Sequence, residues 1–264
     1  MVDVNAIGGV FMSENVLVNH FKRRSKVYDQ SSWVNNEMIL NTILNGVDQN
    51  GSSLMRALDL GAGTGAVSRY ILNNCTRPID FYALDISEEM LKHINDPRIN
   101  TIVAPAEELP FIDDAFDLIV SRQCLHYSDN LDGVISEIRR TLKCGGRFIL
   151  TQFVPYEGAS KSYWIDIAKH RQPLRKVFFS EAEWIEAFEQ QGFMVCKIER
   201  FTLRSSITKW VDQYCIDDDQ SINYYFYLLG NAPDEYKQQY DVVIHKNDIE
   251  TNTFGVTVVF DLIK

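Results

Sequence analysis

Hydrophobic and polar residues follow two different periods along this chain, and each change of period marks an element. Between residues 14 and 47, apolar side chains recur at helical spacing through Val34, Met38, Ile39, Ile43 and Leu44, and Gly46 and Asn50-Gly51 close the stretch. The pattern predicts an N-terminal helical cap over 14–47. Leu54–Leu60 is a short apolar run broken by Arg56 and Asp59. It meets the cluster Gly61-Ala62-Gly63-Thr64-Gly65, and a helical pattern follows through Val67, Tyr70, Ile71 and Leu72. Strand, glycine turn and helix in that order begin a βαβ unit.

The alternation continues. Ile79–Leu84 reads as a strand ending at Asp85, and Ser87–Ile94 as a helix capped by Ser87 with Glu88 and Glu89 in its first turn. Ile99–Val103 and Ala115–Ser121 are strands three and four. Asn130–Leu142 is an amphipathic helix with Val134, Ile135, Ile138 and Leu142 on one face; Gly145-Gly146 is expected to stop it before a fifth strand, Arg147–Phe153. Such alternation through 54–154 predicts an α/β, doubly wound, mostly parallel sheet. Beyond Pro155 the rhythm is lost: residues 155–178 carry Gly158, Pro173 and scattered aromatics. Ser180–Gln191 is a helix with a capping box between Ser180 and Glu183, and Phe193–Phe201 a sixth strand. Residues 205–241 read as largely helical and are crowded with tyrosine (Tyr214, Tyr224, Tyr225, Tyr227, Tyr236, Tyr240), and Thr253–Ile263 reads as the last strand. The expected organisation is a single domain over 1–264, with a core at 54–154 and substrate-side lid insertions at 155–178 and 205–241.

Composition narrows the function classes. Apolar residues make up 45% of the 264, enough for a substantial core. Against 26 Lys+Arg stand 36 Asp+Glu, a net charge of −10, which argues against nucleic acid as a partner. The five cysteines (Cys75, Cys124, Cys144, Cys196, Cys215) form no CxxC pair, which suits a reducing compartment and gives no zinc signature. His20, His93, His170 and His245 lack ligand-like spacing, so no metal is expected. At the N-terminus the basic cluster Lys22-Arg23-Arg24 follows the apolar residues, the reverse of a secretory leader. No apolar run approaches the roughly 18 residues of a membrane span. A cytoplasmic protein is expected.

The glycine loop carries most of the chemistry. Glycines let the backbone turn sharply and let a ligand approach with no Cβ in the way. Read alone, Gly61-x-Gly63-x-x-Ala66 fits the dinucleotide fingerprint, so an NAD(P)-dependent oxidoreductase stays open, as does a non-catalytic Rossmann-like binding module. Asp59 at the strand end would repel a pyrophosphate and attract a cationic group. Asp85, 20 residues after Gly65, suits both hydroxyls of a ribose, or else caps the helix that follows Ile86-Ser87.

Five blocks in order resemble the class I S-adenosylmethionine-dependent methyltransferases: Leu58–Gly65, Ala83–Leu91, Ala106–Phe111, Phe116–Ser121 and Leu142–Phe148. The resemblance covers about residues 55–155. It implies a Rossmann-like, seven-stranded sheet with an antiparallel last strand, S-adenosyl-L-methionine as cofactor, and methyl transfer to an acceptor. By matching position, Gly61, Ala62, Gly63 and Gly65 would bring backbone against the methionine and ribose, with Asp59 near the methionyl amino group. Asp85 would hold the ribose, Ile86 and Met90 would sandwich the adenine, and Ala106 would offer it a backbone N–H with Glu107 alongside. Ser121, Arg122 and Gln123 would face the cofactor, and Tyr28 of Tyr28-Asp29 would close over it. Many relatives carry Asp where this chain has Pro105, which leaves Glu107 or a backbone carbonyl to meet the adenine amino group. The blocks are similar both to malonyl-carrier-protein O-methyltransferases of the biotin pathway and to quinone-ring C-methyltransferases.

Methyl transfer from a sulfonium is an in-line displacement, so alignment does most of the work, and a base matters only for a protonated nucleophile. His126, in Gln123-Cys124-Leu125-His126-Tyr127 after the fourth strand, is the candidate base or substrate-orienting group; the alternative is a residue that only lines the pocket. The expected partner is a small acceptor, apolar or aromatic. Aromatics outside the core could wall its pocket, pack a lid, or form a homodimer surface.

Overall fold

In this computed structural model, residues 16–208 and 219–263 are described; Tyr214, Cys215 and the first residues of the expected cap lie outside them. Eight strands form one sheet: β1 (Met55–Leu60), β2 (Ile79–Asp85), β3 (Ile99–Val103), β4 (Phe116–Arg122), β5 (Leu142–Phe153), β6 (Phe193–Ser206), β7 (Val243–Ile244) and β8 (Ile249–Leu262). The order is β3-β2-β1-β4-β5-β8-β6, with the two-residue β7 paired to the start of β8. Strands β1 to β5 run parallel, whereas β8 is antiparallel to both β5 and β6. The sheet is thus Rossmann-like with an antiparallel insertion at one side, as expected, and β7 is an addition that the hydrophobic pattern was too short to reveal.

Both faces of the central strands are buried, which is why β1 and β4 read as apolar runs rather than alternations. On one face Leu58, Leu60, Leu84 and Ile119 pack with Val134, Ile135 and Ile138 of α5 (Leu131–Thr141). On the other, Ala57, Phe81, Leu118 and Val120 meet Leu40 and Ile43 of α2 (Glu37–Leu44) and Val67 and Ile71 of α3 (Ala66–Asn74). A hydroxyl chain crosses this second layer: Thr257 Oγ1 lies 2.6 Å from Thr42 Oγ1 and 2.9 Å from Thr151 Oγ1. Helix α4 (Glu88–Leu91) is a single turn, shorter than the expected Ser87–Ile94.

Three local expectations are corrected. The 14–47 segment is not one helix: α1 covers 16–24, a 3-10 turn covers Tyr28–Gln30, and α2 starts only at Glu37. Trp33 and Val34 break it because they are drawn into a cluster with Phe153, Phe201 and Leu203. Gly145-Gly146 does not stop α5; the chain turns extended at Leu142, and the glycines form an irregularity inside β5, where pairing jumps from Phe116↔Leu142 to Leu118↔Arg147. Residues 155–178, without predicted structure, contain α6 (Ser160–Arg171), whose Trp164, Ile167 and Ala168 are buried. Helix α7 (Glu181–Glu189) begins as predicted, with the Ser180 N–H donating to Glu183 Oε2 at 2.7 Å. Of the 205–241 stretch, Ser205 and Ser206 end β6, and α8 (Asp219–Gly230) and α9 (Asp234–Gln239) supply the helix. Tyr225, Tyr236 and Tyr240 pack there with Trp164 and Ile167 of α6. No helix among the described residues is long and apolar enough to cross a membrane.

Candidate active site

The C-terminal ends of β1, β2 and β4 share one edge of the sheet, and the chain departs from β1 and β4 in opposite directions. Such a switch point opens a crevice beyond the strand ends. Here it holds a pocket with roughly 690 Å3 of empty space. Its floor is the loop after β1. Gly61, Gly63 and Gly65 have φ of +73°, +56° and +78°, the left-handed region that side chains disfavour. A Cβ on Gly61 would fall closer than 3.0 Å to the Cys124 side chain, and one on Gly63 would touch Met90 Cε at 3.3 Å. Gly61 and Ala62 donate their N–H groups to Leu84 O, which pins the loop to β2.

Asp85 closes β2 and faces the pocket. Its Oδ2 accepts the Gly63 N–H at 2.8 Å and its Oδ1 the Ser87 N–H at 2.9 Å. Burial raises this carboxyl above its ordinary value, and the backbone donors of Ser87, Gly63 and Ile86 pull it back down. Tyr28, Gly61, Gly63, Asp85, Ile86 and Met90 all line the pocket, and Ala106, Glu107 and Gln123 complete the expected set on its walls. Glu107 Oε1 accepts the Ser128 hydroxyl at 2.6 Å. The N-terminal segment covers the loop: Asp29 Oδ1 accepts the Thr64 hydroxyl at 2.5 Å, and Leu17 and Phe21 of α1 enter the pocket wall.

Of the remaining expected residues, Asp59, Ala62, Gly65 and Ser121 are not part of the pocket lining, whereas Arg122 is. Asp59 is buried under the loop, and its Oδ2 accepts the Ser68 hydroxyl at 2.6 Å and the Ser68 N–H at 3.2 Å. Burial pushes its carboxyl up to about 6, against the Ser68 hydrogen bonds and the Arg122 charge. Ser121 donates its hydroxyl to Leu60 O at 2.9 Å, Ala62 packs toward Ala83 and Leu91, and Gly65 caps the start of α3. Arg122 lines the pocket; its Nη1 donates to Val34 O at 2.8 Å and its guanidinium lies 5.1 Å from the Trp33 ring centroid. Burial pushes the Cys124 thiol up, as do Asp85, Glu107 and Asp59, so it stays protonated and unreactive.

His126 lies in a second, smaller cavity of roughly 380 Å3 that shares Phe21, Tyr28, Gln123 and Tyr127 with the first. Its side chain is fully buried, with Nδ1 2.8 Å from Gln152 Oε1 and no hydrogen-bond partner at Nε2. Burial, followed by the Arg175 charge, holds it well below the ordinary histidine value, so the ring is neutral near pH 7. A neutral imidazole whose Nδ1–H donates to Gln152 presents a lone pair at Nε2.

A family model described as a methyltransferase domain matches residues 58–150, the stretch from β1 through most of β5. The core of this chain is a methyltransferase domain. Over 117 residues, or 42% of this chain, it is 37% identical to a malonyl-[acyl-carrier protein] O-methyltransferase of Methylococcus capsulatus, and spans 42% of that protein's length. It is 25% identical over 201 residues to the uncharacterized methyltransferase YcgJ of Bacillus subtilis, covering 73% of this chain and 78% of that one. The YcgJ crystal structure superposes with a TM-score of 0.78 at 20% identity, covering 87% of this chain and all of that one, a likeness of fold. The domain is also 37% identical over 99 residues to the human mitochondrial arginine-hydroxylase NDUFAF5, covering 37% of this chain and 28% of that protein. The methyltransferase domain is of the class I, S-adenosylmethionine-dependent type, and its parallel core strands, antiparallel last strand and glycine turn after β1 are those expected.

Proposed function

We propose that this domain transfers the methyl group of S-adenosylmethionine to a small-molecule acceptor. The observation that carries the reading is Asp85 at the pocket edge beside Gly61 and Gly63, whose left-handed backbone lines the same pocket. The pocket fits the cofactor by its donor set. Asp85 would accept the ribose hydroxyls, Ile86 and Met90 would flank the adenine, and Arg122 offers a cation to the methionyl carboxylate. Asp59 acts from beneath by fixing Ser68 and thereby the start of α3. Bound there, the cofactor would supply an electrophilic methyl group to a lone pair of the acceptor, with the sulfonium as leaving group.

The chain's own contribution is alignment and exclusion of water. The acceptor side is the second cavity, walled by Trp33, Tyr127 and Phe153, which suits a small and partly aromatic molecule. His126 is a poor general base because its pKa is so far depressed; as a neutral acceptor it orients a hydroxyl or amine of the substrate. The N-terminal segment and residues 155–178 and 205–241 serve as acceptor-side elaborations of one domain.

Thermal denaturation tests this reading. S-adenosylmethionine and S-adenosylhomocysteine should each raise the Tm with concentration, by mass action on the native state. A rise with NADPH and none with either adenosyl compound would replace the proposal by an oxidoreductase. No rise with any of them would leave a binding module.

A further inference from the structure

Gln123 and His126 bring unanswered hydrogen-bonding atoms to the wall of one cavity. Gln123 directly follows β4 with a φ of +54°, the left-handed region that residues with side chains rarely enter. Its N–H still donates to Thr151 O at 3.0 Å, so pairing with β5 holds the backbone in that conformation. The side chain is half-buried and lines both the cofactor pocket and the cavity of His126. Its Nε2 is buried and has no hydrogen-bond partner among the described residues. His126 sits in the 3-10 turn Leu125–Tyr127, and its carbonyl accepts the N–H groups of Lys176 at 2.8 Å and Val177 at 3.1 Å. Gln152 Oε1 fixes the ring at Nδ1, and Nε2 is the second buried atom on this wall without a partner.

Buried polar atoms in native proteins are nearly all paired, so two orphans on one wall mark the place of a ligand's polar group. The two atoms ask for different things. Gln123 Nε2 is a donor, whereas the neutral His126 Nε2, with the ring proton on Nδ1, is an acceptor. A hydroxyl answers both, because it accepts and donates at once. A carboxylate or carbonyl only accepts, and would set its oxygen against the imidazole lone pair. An ammonium only donates and leaves the Gln123 amide unanswered, and an aromatic amine accepts poorly. The space required is that of one hydroxyl, close to the share of a single water molecule, about 30 Å3. The cavity holds roughly 380 Å3 of empty space, so the polar head alone needs to enter it. The body of the ligand stays at the boundary the two pockets share, beside Phe21, Tyr28 and Tyr127.

We propose that Gln123 and His126 form a subsite for one hydroxyl of the methyl acceptor, Gln123 donating to its oxygen and His126 accepting its O–H. The inference rests on the methyltransferase reading for the identity of the ligand as acceptor, but the preference for a hydroxyl belongs to the two side chains. Calorimetric titration of phenol, aniline and fluorobenzene separates the two, with the protein free and saturated with S-adenosylhomocysteine. The three probes share a ring and differ in the group that meets the pair. Phenol should bind about tenfold or more tighter than either of the others. Gln123→Met keeps the length of the side chain and removes the donor, and should abolish the advantage of phenol over aniline. Gln123→Glu puts an acceptor in place of the donor and should reverse the order, with aniline ahead of phenol. Equal affinity for the three probes, or a phenol preference that survives both substitutions, would overturn the proposal. So would the absence of binding by any probe, the result expected of a site that takes only water. Failure of S-adenosylhomocysteine to bind, with the phenol preference intact, would instead count against the methyltransferase reading and leave the hydroxyl subsite standing.

Discussion

Gly61→Ala isolates what the glycine loop contributes. At φ +73° an alanine occupies the left-handed region, at a cost of about 1–2 kcal/mol. Its Cβ would also fall closer than 3.0 Å to both Sγ and Cβ of Cys124, while the Cys124 Cα is 3.7 Å away, an ordinary contact distance. Overpacking of that kind costs about 1–3 kcal/mol, so the single variant should lose about 2–5 kcal/mol of stability. The loop cannot move freely to relieve it, because Gly61 and Ala62 are both bonded to Leu84 O. Combining Gly61→Ala with Cys124→Gly removes both overlapping atoms and leaves only the backbone cost. A double-mutant cycle by urea denaturation should therefore show a favourable coupling of about 1–3 kcal/mol. S-adenosylhomocysteine affinity should follow the same pattern, lost in the single variant and largely regained in the double. Strict additivity of the two substitutions would refute the reasoning, since it would mean that Gly61 is not held against Cys124.

Other predictions follow from buried polar groups. The Asp59 pKa in the native state, about 6 against 3.8 when exposed, means that the folded form binds this proton more tightly; its contribution is therefore greatest at low pH and is lost as pH rises. Asp59→Asn should accordingly gain about 2–3 kcal/mol relative to the parent between pH 4 and pH 7.5, read from denaturant midpoints. His126 has the opposite sign: its depressed pKa favours folding above about 6.5 and is lost on acidification, so His126→Gln should flatten the fall in stability between pH 6.5 and pH 5. The same depression predicts that kcat/KM shows no acid limb near 6.5 removed by His126→Gln; such a limb would restore His126 as a general base. Thr257→Val strips Thr42 and Thr151 of a shared partner and should cost about 1–3 kcal/mol, measured by denaturation.

The cofactor side was legible because it is encoded locally. A strand, a glycine turn and an acid 20 residues on lie close in sequence, and the topology brings Gly61, Gly63 and Asp85 together without help from distant segments. Two residues read as neighbours of the ligand, Asp59 and Ser121, are absent from the pocket lining for one reason. Asp59 and Ser121 are on strands, where side chains alternate between faces, and a motif gives position without giving the face. The helix α6 escaped notice because its buried Trp164, Ile167 and Ala168 are interspersed with Lys161, Asp166 and Lys169, which blunts any apolar stripe. Of the second cavity, His126 was legible from its place after the fourth strand, but the rest of the lining was not. Arg24 belongs to a basic cluster that speaks only against a leader, and nothing in Phe21-Lys22-Arg23-Arg24 distinguishes the buried arginine from its exposed neighbours. Burial of a charge depends on which distant elements cover it, here the 3-10 turn at Tyr28 and the end of α6.

The central claim is that the pocket beside Asp85 holds an adenosyl methyl donor. Isothermal titration of S-adenosylhomocysteine into the protein and into Asp85→Ala tests it most directly. The account predicts a single site in the parent chain, weakened at least tenfold in Asp85→Ala with the fold retained by circular dichroism. Absence of binding to the parent chain, or equal affinity in the variant, would contradict it.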